Sequence, residues 1–69
     1  MPLDYLREIA NTSLPLKVED VSHIDLLRVL SAAELIVAQL PEPYSERQEA
    51  CVYGITTLGR LALRRRFGE

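Results

Sequence analysis

One cysteine, one histidine and three glycines are all that this 69-residue chain offers of the residues from which metal sites and phosphate loops are built. Cys51 has no partner for an internal disulfide, and a zinc site needs about four ligands drawn from cysteine, histidine and carboxylates. There is no glycine-rich phosphate loop and no G-x-S-x-G elbow. The one adjacent carboxylate pair, Glu19 and Asp20, reads as solvated. No stretch approaches the roughly 20 apolar residues that cross a bilayer. The opening residues MPLDYLREIA also lack the basic start and apolar run of a signal peptide. A lone cysteine suits a reducing compartment. Together these absences argue against a stapled mini-protein, a membrane partner, a metal, a cofactor and catalysis. They predict a soluble cytoplasmic protein.

What is present is ordinary for a folded domain: 48% hydrophobic and 26% charged residues. A chain this short makes one domain, 1–69, and buries only about 60% of its unfolded surface, so its core is marginal. Charge is unevenly spread. Residues 1–59 carry nine acids against Arg7, Lys17, Arg28 and Arg47, a net of −5. Residues 60–69 carry Arg60, Arg64, Arg65 and Arg66 against Glu69, a net of +3.

Periodicity predicts five elements. Leu3 to Ala10 is a helix with Leu3, Leu6, Ile9 and Ala10 on its apolar arc and Tyr5 at the edge. Pro2 and Asp4 suit its first turn. Leu14 to Val18 alternates as a short edge strand with Pro15 where no ladder donor is needed, or else leads into a helical turn over Val18 to Val21. Ser22 reads as the cap of the next helix, with Asp25 approximating a capping box and Val21 and Leu26 as a hydrophobic staple. The expected buried arc of this helix is Leu26, Leu27, Val29, Leu30 and Ala33, opposite Asp25, Arg28, Ser31 and Ala32, with Ile24 beside them. Leu35 to Leu40 and Ala50 to Ile55 form a hairpin around a long loop bounded by Pro41 and Pro43. Ile36, Ala38 and Leu40 share one face of it, and Leu35 and Val37 make the other apolar too. Thr56 caps a last helix to about Phe67, with Leu58, Leu61 and Ala62 facing inward and Leu63 and Phe67 forming an outer seam.

The order of these motifs carries a resemblance. Leu27-x-x-Leu30-x-x-Ala33 followed at once by Leu35-Ile36-Val37 resembles the recognition helix and first wing strand of winged helix-turn-helix regulators. Tyr53-x-Ile55-Thr56-x-x-Gly59-Arg60 is similar to the second wing strand and closing helix of MarR-like and PadR-like members. The resemblance covers roughly residues 22–66 and implies a small α+β winged-helix-like domain, its helices packed on a two- to three-stranded antiparallel hairpin sheet. It also implies a DNA-binding, transcription-associated role, in which Arg28, Arg47, Arg60, Arg64, Arg65 and Arg66 meet phosphates or bases. Three features depart from the family pattern. Glu34 stands where a glycine usually follows the helix. Leu16 to Ile36 has room for one helix where a complete helix-turn-helix has two. The reading surfaces are not basic: Arg28 is balanced by Asp25, and the loop PEPYSERQE sets three glutamates against Arg47, which weakens the phosphate contacts on which non-specific affinity rests.

Fold does not by itself confer activity, and a second function class fits the residues: a protein-interaction or homodimerisation module without DNA chemistry. Its expected contact residues are Leu35, Val37, Tyr44, Leu63 and Phe67, more apolar surface than a small monomer covers. The arginine run at 64–66 then serves the C-terminal dipole of its helix. Cys51 is expected to be an inert strand residue and His23 a surface or packing residue. Tyr44 either contacts a partner or folds back over the prolines.

Overall fold

The computed structural model describes residues 2–68 and shows an α+β fold of three helices and one three-stranded sheet. The elements are α1 (Pro2–Ala10), β1 (Leu16–Val18), α2 (Val21–Ala32), β2 (Ile36–Gln39), β3 (Ala50–Ile55) and α3 (Thr57–Phe67). The strands lie in the order β1-β3-β2, and both pairings are antiparallel.

Leu16 to Val18 therefore takes the strand alternative, pairing Leu16 with Val52 and Val18 with Ala50. No separate turn forms over Val18 to Val21, because Val21 already belongs to α2. Pro15 sits just outside the strand, where its missing N–H removes no ladder bond. In the hairpin, Ile36 pairs with Ile55, Val37 with Gly54, Ala38 with Val52 and Gln39 with Cys51. The register slips between Val37 and Ala38, leaving Tyr53 as the extra residue of a β-bulge. Ile36, Ala38 and Leu40 do face the core, as alternation predicted.

The core is a single cluster centred on Leu6, Ile9, Ile24, Leu27, Leu30 and Val52, each at most 1% exposed. Among the described residues it contains no polar or charged member. In α1 the buried residues are Tyr5, Leu6 and Ile9, so the arc turns toward Tyr5 and leaves Leu3 half-buried.

Two helices turn differently from their sequence reading. In α2 the buried stripe is Ile24, Leu27 and Leu30, whereas Val29 is 53% exposed and Ala33 is exposed. The cap is Asp20, whose carboxylate accepts the His23 N–H at 3.2 Å and the Ser22 hydroxyl at 2.6 Å. Ser22 thus supports the cap instead of forming it. Val21 is 56% exposed and makes no staple. At the other end Glu34 adopts φ 62°. Leu35 N–H donates to Leu30 O and Glu34 N–H to Ser31 O, both at 2.9 Å, which closes a Schellman turn. The glutamate occupies the left-handed position that glycine fills at least cost.

α3 is the larger departure. Its inward residues are Gly59 and Leu63, while Leu58 is 51% and Leu61 37% exposed. Gly59 decides this phase. A methyl group there would overlap the Leu35 carbonyl oxygen and come within 2.7 Å of Ile55 Cγ2. Helix and strand backbones meet at this point, so the side without a side chain must face in. The predicted outer residue Leu63 consequently lies in the core, 6% exposed, and cannot form a docking seam. Phe67 is half-buried against the same cluster.

Candidate interaction surface

Thr56 joins α3 to the rest of the fold and positions everything on its outer side. It caps the helix, as the sequence predicted, by accepting the Gly59 N–H at 2.9 Å. Its hydroxyl donates to Glu34 O at 2.7 Å and its N–H to Leu35 O at 3.0 Å. One residue thereby fixes the first turn of α3 against the turn that ends α2.

With Gly59 pressed inward, Leu58 and Leu61 face out. Together with Ala62, Ala33, Leu35 and Leu3 they line an open apolar groove of about 540 Å³. Arg65 and Arg66 stand at the groove's C-terminal end. Glu34, between Ala33 and Leu35 in the chain, is exposed, and its backbone carbonyl accepts the Thr56 hydroxyl beside the α3 N-terminus. Val29, one helical turn before Ala33, extends the apolar strip along α2.

The arginines expected to touch nucleic acid fall into separate places. Arg28 is half-buried, and its guanidinium donates to Pro41 O at 2.9 Å, tying α2 to the hairpin loop. Arg47 is exposed in that loop, which is held by its own bonds, with Gln48 Nε2 donating to Glu42 O at 3.0 Å and to Ser45 O at 2.8 Å. Arg60, Arg64, Arg65 and Arg66 are all exposed on α3, which begins at the end of the hairpin remote from the loop. Arg60 and Arg64 line a small cleft with Asn11 at the end of α1. Phe67 lies under Arg7 at 4.5 Å and Arg66 at 5.5 Å, two cation–π contacts. The exposed residues of α2 include Ser22, His23, Asp25, Val29 and Ala32, so the helix compared with a recognition helix offers no exposed arginine or lysine of its own.

The other expected contact residues are also dispersed. Leu35 is half-buried in the groove wall. Val37 is 55% exposed on the outer sheet face, near Tyr53, whose hydroxyl donates to Gln39 Oε1 at 3.3 Å. Neither α1 nor β1 covers that face. Tyr44 is 98% exposed at the loop tip and does not fold over the prolines.

Local contacts perturb the titration of Asp20, Tyr5 and Tyr53. The Ser22 hydroxyl chiefly holds the Asp20 carboxyl below its ordinary value; desolvation, the next largest influence, opposes it, and the His23 backbone N–H and ring add to the lowering. Burial, with Glu8 and Asp20 nearby, raises the Tyr5 phenol, whose ring stacks on His23 at 4.7 Å. Cys51, by hydrogen bonding and by charge, raises the Tyr53 phenol. Among the described residues, no three of His, Cys, Asp and Glu come together to hold a metal ion, and no helix is long and apolar enough to cross a membrane.

Leu58 and Leu61 are the surface residues that sequence periodicity misplaced. The available signal was Gly59, since an isolated glycine within a helical pattern marks close backbone approach and dictates which side faces in. No family model, curated protein or solved structure compared with this chain matches it.

Proposed function

We propose that the protein is a non-catalytic protein-interaction module that keeps a reduced winged-helix arrangement, with the groove of α3 as its contact surface. The observation that carries this reading is the outward turn of Leu58 and Leu61, 51% and 37% exposed beside half-buried Leu35. A marginal core gains from burying such residues, and an apolar groove with a charged rim has the anatomy of a protein contact. The sheet order and the helix-to-strand passage from α2 to β2 support the winged-helix comparison. The surfaces that read DNA in that family are occupied differently here: Arg28 is bound to Pro41, and the loop carries Glu42, Glu46 and Glu49 around Arg47. The unpaired Cys51 supports a cytoplasmic setting.

The four exposed arginines of α3 favour one second reading, nucleic-acid contact through that helix instead of through α2. Anisotropy of a labelled arbitrary duplex, titrated with the protein at about 50 and about 200 mM salt, separates the two. The module proposed here leaves the duplex free at micromolar protein in low salt. Micromolar binding that weakens at least about 100-fold between the two salt concentrations overturns it and assigns the arginines to phosphate.

A further inference from the structure

We infer that the occupant of the α3 groove is an acidic amphipathic helix of a different protein. Its leucines fill the groove and its carboxylates meet Arg65 and Arg66. The inference rests on the docking reading of the groove and adds the chemical class of the partner.

The charge of the lining sets the sign of the partner. Among the described residues, Arg65 and Arg66 are the charged groups that line the groove, and no carboxylate lines it. Arg65 has no hydrogen bond or ion pair with another described residue, and Arg66 lies over the Phe67 ring at 5.5 Å. Across Leu61, a smaller cleft is lined by Arg60 and Arg64, of the same sign. A segment that fills the groove therefore complements it by bringing carboxylates, which guanidinium groups bind through paired N–H donors. A second copy of α3 does not qualify. Its sequence, TLGRLALRRRF, holds arginines at 60, 64, 65 and 66 and no acid.

The backbone sets the form of the partner. Leu35 is the wall residue that follows the α2 turn and leads into β2. Its N–H already donates to Leu30 O at 2.9 Å, and its C=O accepts the Thr56 N–H at 3.0 Å. The Glu34 carbonyl is taken by the Thr56 hydroxyl. An added strand would find these groups occupied, so the groove is filled through side chains, as a docked helix fills it. The spacing suits a helix. Leu58, Leu61, Ala62 and Arg65 stand at i, i+3, i+4 and i+7, a strip of about 10 Å at 1.5 Å per residue. An incoming helix of about two to three turns, with leucines at the same intervals, covers that strip. Ala33 and Ala62 are the small residues of the lining and leave space for its leucines. Carboxylates at the end of the leucine stripe then reach Arg65 and Arg66.

Anisotropy of a labelled peptide titrated with the whole chain tests the inference, with circular dichroism melts to confirm that each variant is folded. The probe is a capped peptide of about 15 residues, with leucines at i, i+3, i+4 and i+7 and a glutamate pair at each end. Alanine and glutamine fill its other positions, and a control peptide carries lysines in place of the glutamates. At about 50 mM salt the glutamate peptide binds with a dissociation constant of about 100 μM or tighter. It binds at least about tenfold more tightly than the lysine peptide. Leu61→Asp weakens it at least about tenfold, since a carboxylate is placed in the middle of the apolar contact. Arg65→Glu/Arg66→Glu inverts the preference, so that the lysine peptide binds the variant more tightly. Arg65 and Arg66 are exposed, so this exchange remains informative if Leu61→Asp fails to fold. A glutamate peptide that stays free at about 500 μM chain overturns the inference. So does binding indifferent to Leu61→Asp or to the arginine reversal. A lysine peptide bound at least as tightly, and still dependent on Leu61, overturns the acidic class and leaves the groove as a contact surface. Sedimentation equilibrium of the chain alone supplies the remaining outcome. A dimer at about 500 μM that Leu61→Asp disperses assigns the groove to a second copy; it overturns this inference and leaves the proposed function standing.

Discussion

Helices α2 and α3 carry three leucines each, and the fold treats them in opposite ways. In α2, Leu27 and Leu30 are 0% and 1% exposed and Leu26 is half-buried. In α3 only Leu63 is buried, while Leu58 and Leu61 face out. The difference lies in how each helix meets the sheet. α2 packs through side chains, so its largest apolar stripe sets its rotation. α3 meets Leu35 through the bare backbone of Gly59, and close approach there outweighs the gain from turning two leucines inward. A hydrophobic stripe orients a helix only where no tighter steric demand applies.

Removing a leucine from each helix gives the largest contrast. Leu27→Ala costs about 3 kcal/mol, the usual loss for a fully buried leucine, which is most of the roughly 3–5 kcal/mol available to a core of this size. Leu58→Ala changes stability by no more than about 0.5 kcal/mol at concentrations where the chain is monomeric. Urea denaturation of the two variants checks both values, and equal losses would erase the distinction between the helices.

Gly59→Ala comes next. Alanine favours a helix by about 1 kcal/mol over glycine, but here the methyl group meets a carbonyl oxygen already bonded to Thr56 N–H. Overpacking against fixed backbone costs about 2–3 kcal/mol, so the net effect is destabilising by about 1–2 kcal/mol. A stabilised variant in thermal melts would show that α3 is positioned by its leucines after all.

Substitution at the end of α2 should have the opposite sign. Glu34→Gly relieves a left-handed residue and raises stability by about 0.5–1 kcal/mol, again measured in the monomer. No gain would mean that the Schellman turn sits comfortably with a side chain.

The smallest effect concerns the α2 cap and pH. The Asp20 carboxyl is held below its ordinary value of 3.8, chiefly by Ser22. A lowered folded-state value means the cap's contribution is complete above that ordinary value. It is lost as pH falls through the lower folded one. Melting temperatures between about pH 5 and about pH 2 should therefore fall more steeply for the parent than for Asp20→Ser, which caps without titrating. Parallel curves would remove Asp20 from the acid response.

Much of the architecture was legible because local chemistry marks it. Two prolines and a polar loop delimit the hairpin, and Thr56 announces α3. Ala50 to Ile55 is a strand with those bounds. Rotation was not legible. In α2, Ile24-Leu27-Leu30 and Leu26-Val29-Ala33 are both acceptable stripes, and only the sheet beneath selects the first. In α3 the decisive contact joins Gly59 to Leu35, 24 positions apart in the chain, which periodicity within one segment cannot register. The cap of α2 was misplaced for a smaller reason: Asp20 and Ser22 are both good capping residues, and their mutual hydrogen bond makes one the accessory of the other. Among the expected contact residues, Leu35, Val37 and Tyr44 are at least partly accessible, while Leu63 went to the core with the rotation of its helix.

The hydrogen bonds that tie Thr56 to Glu34, Leu35 and Gly59 have a consequence for how quickly and how tightly the groove can be filled. Gly59 abuts Leu35 in the groove wall, and Thr56 fixes the α3 N-terminal end to the turn after α2, so opening the groove there requires breaking the sheet-to-helix joint itself. A surface held this way is preorganised: an incoming helix meets a shape already formed, and little conformational entropy is lost on docking. Amide exchange at Thr56 and Gly59 should accordingly follow global unfolding and not local fraying.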